Sequence, residues 1–195
     1  MSWLKNVSLV LVAIFCLTSV TLGEDGEKLT TVKAGTLELQ VPESWKFVKP
    51  SSNFRVAQFN IPAKEGEGAE LVVFHFGGPT GGIAANIKRW VDQFQEDGRK
   101  VKLVHGECKV GRYVLADISG TWKKPDGPPF AQKTIDTPGS RVINVVVVKG
   151  EVGSEEYYFM KLSGPDKLVA GQAAALRKTC AAKSDSERPY EAGDE

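Results

Sequence analysis

With 195 residues the chain suits a single domain, one that buries roughly 70% of the surface its unfolded form exposes and needs neither disulfide nor metal to fold. Twenty-five Lys and Arg face 24 Asp and Glu, for a net charge of +1. That balance removes any electrostatic reason to expect nucleic acid or an anionic membrane as the main partner.

Residues 1–23 read as a secretory signal peptide. Lys5 is the one charge before an apolar run from Val7 to Leu22, and small residues at Thr21 and Gly23 place cleavage after Gly23. The alternative is an uncleaved N-terminal anchor, but the run falls short of the ~20 residues that span hydrocarbon comfortably. Cys16 does not make this a lipoprotein, because Phe15 stands where a small residue is needed and more apolar residues follow. The mature chain is therefore expected to be secreted or periplasmic, with no stable membrane span after cleavage. Two cysteines then remain, Cys108 and Cys180, and an oxidising compartment makes them a candidate disulfide, with two free buried thiols as the alternative.

Residues 24–34 form a polar lead-in to a domain over 35–182. Thr36 to Val41 alternates polar and apolar, the period of a half-buried strand, and Pro42 closes it. Phe54 to Ile61 predicts a second strand, and the nearly continuous apolar run Leu71 to Phe76 a central one. After the glycine-rich segment Gly77–Gly82 the period changes. Ile83, Ile87, Trp90, Val91 and Phe94 share one face of a helix that Asp97-Gly98 ends. Val101 to Val104 is extended and leads to a turn at Gly106. Cys108–Val110 and Tyr113–Ile118 make a hairpin about Gly111. Val142–Val148 and Glu156–Leu162 are further strands, and a C-terminal helix runs from Pro165 to Cys180. Residues 183–195 are charged and expected to be disordered. Short connections imply a mainly antiparallel sheet, and two main helices should flank it in an α+β fold.

Several segments carry a resemblance. Val41-Pro42-Glu43-Ser44-Trp45-Lys46, Ser51-Ser52-Asn53-Phe54-Arg55 and Glu70-Leu71-Val72-Val73-Phe74 resemble an uncharacterised family of exported bacterial proteins. So do Ala85-Asn86-Ile87-Lys88-Arg89-Trp90-Val91-Asp92-Gln93-Phe94 and Phe159-Met160-Lys161-Leu162-Ser163-Gly164-Pro165. The fold this family most resembles is the PsbP-like α/β/α sandwich. PsbP is an exported helper subunit of the photosynthetic oxygen-evolving complex. The resemblance implies a partner-binding or assembly module, and it brings no catalytic residue to carry over.

The residues name no catalytic, cofactor or metal site. His75 sits inside an apolar strand, and His105 with Cys108 lacks a second ligand pair at zinc spacing. There is no nucleophile elbow. Gly77–Gly82 leads from a strand to a helix start, where backbone N–H groups can hold an anion, but it has neither the phosphate-loop nor the dinucleotide pattern. The segment Lys123–Gly139 holds four of the ten prolines, at 125, 128, 129 and 138, and is expected to stay out of any central strand. Trp122 at its edge, with Lys123, Lys124, Phe130 and Lys133, makes it the candidate interaction loop for a protein partner. The chain thus reads as an exported, non-catalytic binding or assembly module. The alternatives are a small-ligand carrier, which requires an aromatic-lined pocket between helix and sheet, and a hydrolase with dispersed catalytic residues.

Overall fold

The computed structural model describes residues 27–50, 52–77, 81–127 and 133–191, with residues 21–22 by backbone alone. The expected signal segment lies outside the described residues except for Thr21–Leu22. These two form strand β1, paired with β2, Lys28–Ala34, and cleavage after Gly23 would remove that pairing. β3 is Leu37–Pro42 and β4 is Lys46–Phe47. β5 spans Arg55–Ile61 and β6 spans Ala69–His75. Helix α1 is Ile83–Asp92. Then come β7, Lys100–Cys108, β8, Gly111–Pro125, β9, Thr134–Lys149, and β10, Glu156–Pro165. Two short helices follow, α2 at Asp166–Gly171 and α3 at Ala173–Thr179, and β11 is Arg188–Pro189.

The fold is α+β with a mainly antiparallel sheet. Eight strands run β11-β7-β8-β9-β10-β6-β5-β4, every neighbouring pair antiparallel, and β1-β2-β3 form a separate three-stranded sheet. Side chains alternate across the large sheet. Ile143, Val145 and Val147 join Leu71, Val73, Tyr158 and Met160 in one core, covered by β3 and by Val169 and Leu176 of the short helices. Val142, Val146 and Val148 join Phe159 and Ile118 in a second core, covered by Ile83, Ile87 and Trp90 of α1. The run Val142–Val148 is apolar on both faces because both faces are covered.

Five sequence expectations change. The polar lead-in is itself a strand, β2, whose register with β3 pairs Leu29 with Pro42 and Ala34 with Leu37. Helix α1 stops at Asp92 rather than near Asp97, because Phe94 leaves the helix axis to form a bridge with Trp122. Gly106 is not a turn but an interior residue of β7, opposite Tyr113 of β8. A Cβ there would lie 3.0 Å from Ser186 Oγ and 3.1 Å from the Tyr113 ring. The C-terminal helix is broken at Gln172 into α2 and α3.

The fifth concerns the charged tail, which is ordered as far as residue 191. Arg188 and Pro189 pair with His105 and Val104. Glu187 takes hydrogen bonds from both Arg177 Nε, at 2.6 Å, and Tyr113 Oη, at 2.7 Å. Charge marked this segment as solvated, but three contacts hold it: Arg177, Tyr113, and Ser186 Oγ accepting from Glu107 N at 2.8 Å. Residues 192–195 lie outside the described residues.

Candidate functional site

The hairpin β8–β9 is longer than the sheet that carries it. β7 accompanies β8 only as far as Ser119, and β10 accompanies β9 only from Ser140. Beyond those points Trp122, Lys123, Lys124 and Pro125 pair with Thr137, Asp136, Ile135 and Thr134. Lys123–Pro125 and Thr134–Gly139, expected to be loop, are therefore strand. Their prolines are tolerated for two reasons. Pro125 ends β8, and Pro138 lies where the register shifts between Gly120 and Trp122, so no ladder hydrogen bond is lost.

The five residues of the expected interaction loop separate. Trp122 is buried, its ring under the Lys161 ammonium at 4.6 Å. Lys123 Nζ donates to Asp92 O at 3.0 Å, and its backbone N to Gln93 O at 2.8 Å, which ties the ribbon to the end of α1. Lys124 pairs with Glu67 at 3.0 Å across the surface. Lys133 pairs with Asp126. Phe130 lies outside the described residues. Cys108 and Cys180 are both buried and stand as free thiols in the structure, where Cys180 Sγ donates to Arg177 O at 3.4 Å. Burial pushes both thiols up, Cys180 to about 12, and the Cys108 thiol nearby adds to the shift at Cys180. Residues 78–80 of the glycine-rich segment lie outside the described residues. Gly82, at φ 77°, precedes α1 without a side-chain cap, and its carbonyl accepts from Asn86 Nδ2 at 2.6 Å.

The sequence did not single out the residues of a further candidate site. Between α1 and the sheet lies a cavity of about 370 Å³, within the size range of small-ligand pockets. Four aromatic rings stand in its wall, with Met160 and the polar side chains of Asn86, Arg89 and Gln93 beside them. Phe74 and Phe76 stack at 5.8 Å, Phe76 meets Phe159 edge-on at 5.7 Å, and Trp90 closes the helix side. At its rim Phe76 lies 5.6 Å from Phe54, and both are exposed large hydrophobics.

Two polar groups enter from the floor. Lys161 of β10 and Asn144 of β9 are directly paired in register and share the α1 face with Phe159 and Val146. Asn144 is 3% exposed, and among the described residues its Nδ2 has no hydrogen-bond partner. Trp122 Nε1 is in the same condition. Burial pushes the Lys161 ammonium down to about 8; Arg55 adds to that shift and Glu70 opposes it. Glu70 is itself engaged by Gln58 Nε2 at 2.7 Å, and Gln58 Oε1 accepts from Arg55 Nη1 at 3.1 Å. A second cavity of about 500 Å³ lies beyond Trp122, walled by Asn60, Glu70 and Ser163.

The signal for this site was present in two places. Lys161 interrupts the apolar residues Phe159, Met160 and Leu162, and Asn144 interrupts Val142–Val148. A polar residue on the buried face of an interior strand requires a partner or a function. Among the described residues no group of three or more His, Cys, Asp or Glu is placed to hold a metal ion. No described helix is long and apolar enough to cross a membrane.

No family model matches the chain, and no curated protein matches it. Among solved structures it is similar to the solution structure of cyanobacterial PsbP (CyanoP) from Synechocystis sp. PCC 6803. The identity is 13%, the similarity covers 92% of this chain and 99% of that one, and the TM-score is 0.46. PsbP is also the family whose fold the sequence resembles, and a likeness of this degree bears on neither function nor partner.

Proposed function

We propose that this protein is an exported, non-catalytic binding module, built as a PsbP-like α/β/α sandwich, that holds a small and largely apolar ligand between α1 and the sheet. The observation that carries this reading is the aromatic cavity itself. Four rings face a volume of small-ligand size, with Met160 beside them and five polar side chains, Asn86, Arg89, Gln93, Asn144 and Lys161, set among them, the pattern of a binding pocket rather than of a packing defect. A cavity of this kind is what a carrier requires and what a purely scaffolding domain has no reason to keep. Native mass spectrometry of protein purified from an exporting host tests it. A mass in excess of the denatured chain by one defined small molecule is the expected result. A bare chain that also shows no thermal shift with any apolar compound of a screening panel overturns it. The denatured mass, taken without reductant, also reports cleavage after Gly23 and the state of Cys108 and Cys180.

A second reading, a protein partner, is favoured by one observation. Residues Thr134–Gly139 of β9 have no third strand beside them among the described residues, and Ile135 there is exposed. Such an edge accepts a strand from another chain through main-chain hydrogen bonds. Thr134→Pro, which removes an N–H pointing away from β8, should abolish capture of such a partner with little change in melting temperature, and unchanged capture would sink this reading.

A further inference from the structure

The cavity under α1 is asymmetric in its polar groups: everything unpartnered in or beside it is a donor. Asn144 Nδ2 and Trp122 Nε1 are buried N–H groups without acceptors among the described residues. Lys161 brings an ammonium that lies over the Trp122 ring, 4.6 Å from its centroid. Leaving a buried donor unmatched is costly, so a cluster of them marks a place where an acceptor belongs. The charge around the cavity has the same sense. Lys161 on β10, Arg55 on β5 and Arg89 on α1 are cations. Glu70 on β6 is the carboxylate that acts on Lys161, and it already receives Gln58. β8 contributes the Trp122 ring and β9 the neutral Asn144.

We propose that this cavity selects a carboxylate attached to a planar apolar body, with the carboxylate on Lys161 Nζ and Asn144 Nδ2 and the body among Phe74, Phe76, Phe159 and Trp90. The register permits it. Directly paired residues on one sheet face hold their Cβ atoms about 5 Å apart, close enough for a long and a short side chain to reach one carboxylate. A carboxylate accepts several hydrogen bonds at once, and a charge-assisted bond in a dry pocket is stronger than a neutral one. The rings offer both faces and edges to a ligand, which favours an aromatic or conjugated body over a branched one. Amines and other cations are selected against by Lys161 and Arg55.

This inference rests on the reading of the cavity as a ligand site and sharpens it to one chemical class. The probes are 2-naphthoate and 2-naphthamide, which share a ring system and differ in the charge of the head group. Binding of each to the full mature chain is measured by calorimetry, in the wild type and in Lys161→Met, Asn144→Leu and the surface control Lys124→Met. Naphthoate is expected to bind about tenfold or more tighter than naphthamide, the scale of one charge-assisted hydrogen bond. Lys161→Met and Asn144→Leu should each reduce that preference, and Lys124→Met should leave it. Lys161→Met removes a buried cation and keeps its length, and circular dichroism confirms that it folds. The preference should fade above pH 8, where the free Lys161 loses its proton, while naphthamide binding stays level. Equal binding of both probes, unaffected by Lys161→Met, overturns the carboxylate assignment and leaves the cavity a site for neutral ligands. Binding of neither probe at millimolar concentration overturns both the assignment and the reading beneath it.

Discussion

Asn86 shows how one side chain can join two neighbours. It is 2% exposed, its Nδ2 donates to Gly82 O, and its Oδ1 accepts from Arg89 Nη2. The helix starts on a glycine with no side-chain cap; Asn86 does not replace one, since it donates to the Gly82 carbonyl rather than accepting from a first-turn N–H, but it fastens the Gly82 turn to the helix. Asn86→Ala should cost about 1–2 kcal/mol. The melting temperature should then fall by roughly 2–6 °C, and an unchanged value would remove Asn86 from this role. Arg89→Ala should do the same more weakly, since its guanidinium lies near the surface. The sequence offers Asn86 or Arg89 as a tie between the helix and the preceding loop; in the structure Asn86 reaches the loop directly, at the Gly82 carbonyl, and Arg89 only through Asn86. Lys161 and Asn144 were legible in a weaker sense. Each interrupts an apolar run, but nothing local distinguishes a floor of a cavity from a polar residue turned to solvent.

The β8–β9 ribbon is the element on which sequence and structure differ most. Prolines 125 and 138 argue against a strand interior, yet both lie in the ribbon: Pro125 ends β8, and Pro138 falls at the register shift of β9. What the prolines do not reveal is that a ribbon outrunning its neighbours has no interior. By contrast the α1 stripe, the strand Val142–Val148 and the hairpin about Gly111 were readable, because their cause is local. Gly111 stands at φ 152°, and a Cβ there would meet Val148 O at 2.2 Å. Trp122 decides between the two accounts of this element. On an exposed recognition loop its loss would cost at most about 0.5 kcal/mol. Buried between Phe94 and Lys161, Trp122→Ala should cost about 3–5 kcal/mol, read from urea unfolding. A near-neutral result would return the ribbon to the surface.

At the scale of the whole molecule, two cores on opposite faces of one sheet were implied by the strand–helix–strand–helix order, and the covering strands β2 and β3 were only half visible. The C-terminal closure was not visible at all. Two of its bonds, Tyr113 to Glu187 and Glu107 to Ser186, join residues 74 and 79 apart in sequence, and no periodicity records them. Glu187 gives this closure a pH dependence with a definite sign. Burial raises its carboxyl, but the hydrogen bonds from Arg177 and Tyr113 outweigh that and leave it below its ordinary value. A depressed carboxyl contributes stability that is complete above the unfolded value of about 4.3 and is lost as pH falls through the folded one. Residues 184–191 should therefore release in acid before the sheet does, seen as amide exchange rising there first below pH 4; uniform protection down to global unfolding would contradict this. There is a further consequence for how the chain is made. A ribosome or a translocase delivers β7 about eighty residues before the strand that covers its outer side. Until Arg188 and Pro189 arrive, that side is a bare hydrogen-bonding template for any other nascent copy. Chains stopped short of residue 184 should therefore depend on holding chaperones and accumulate as aggregates, while the complete chain does not.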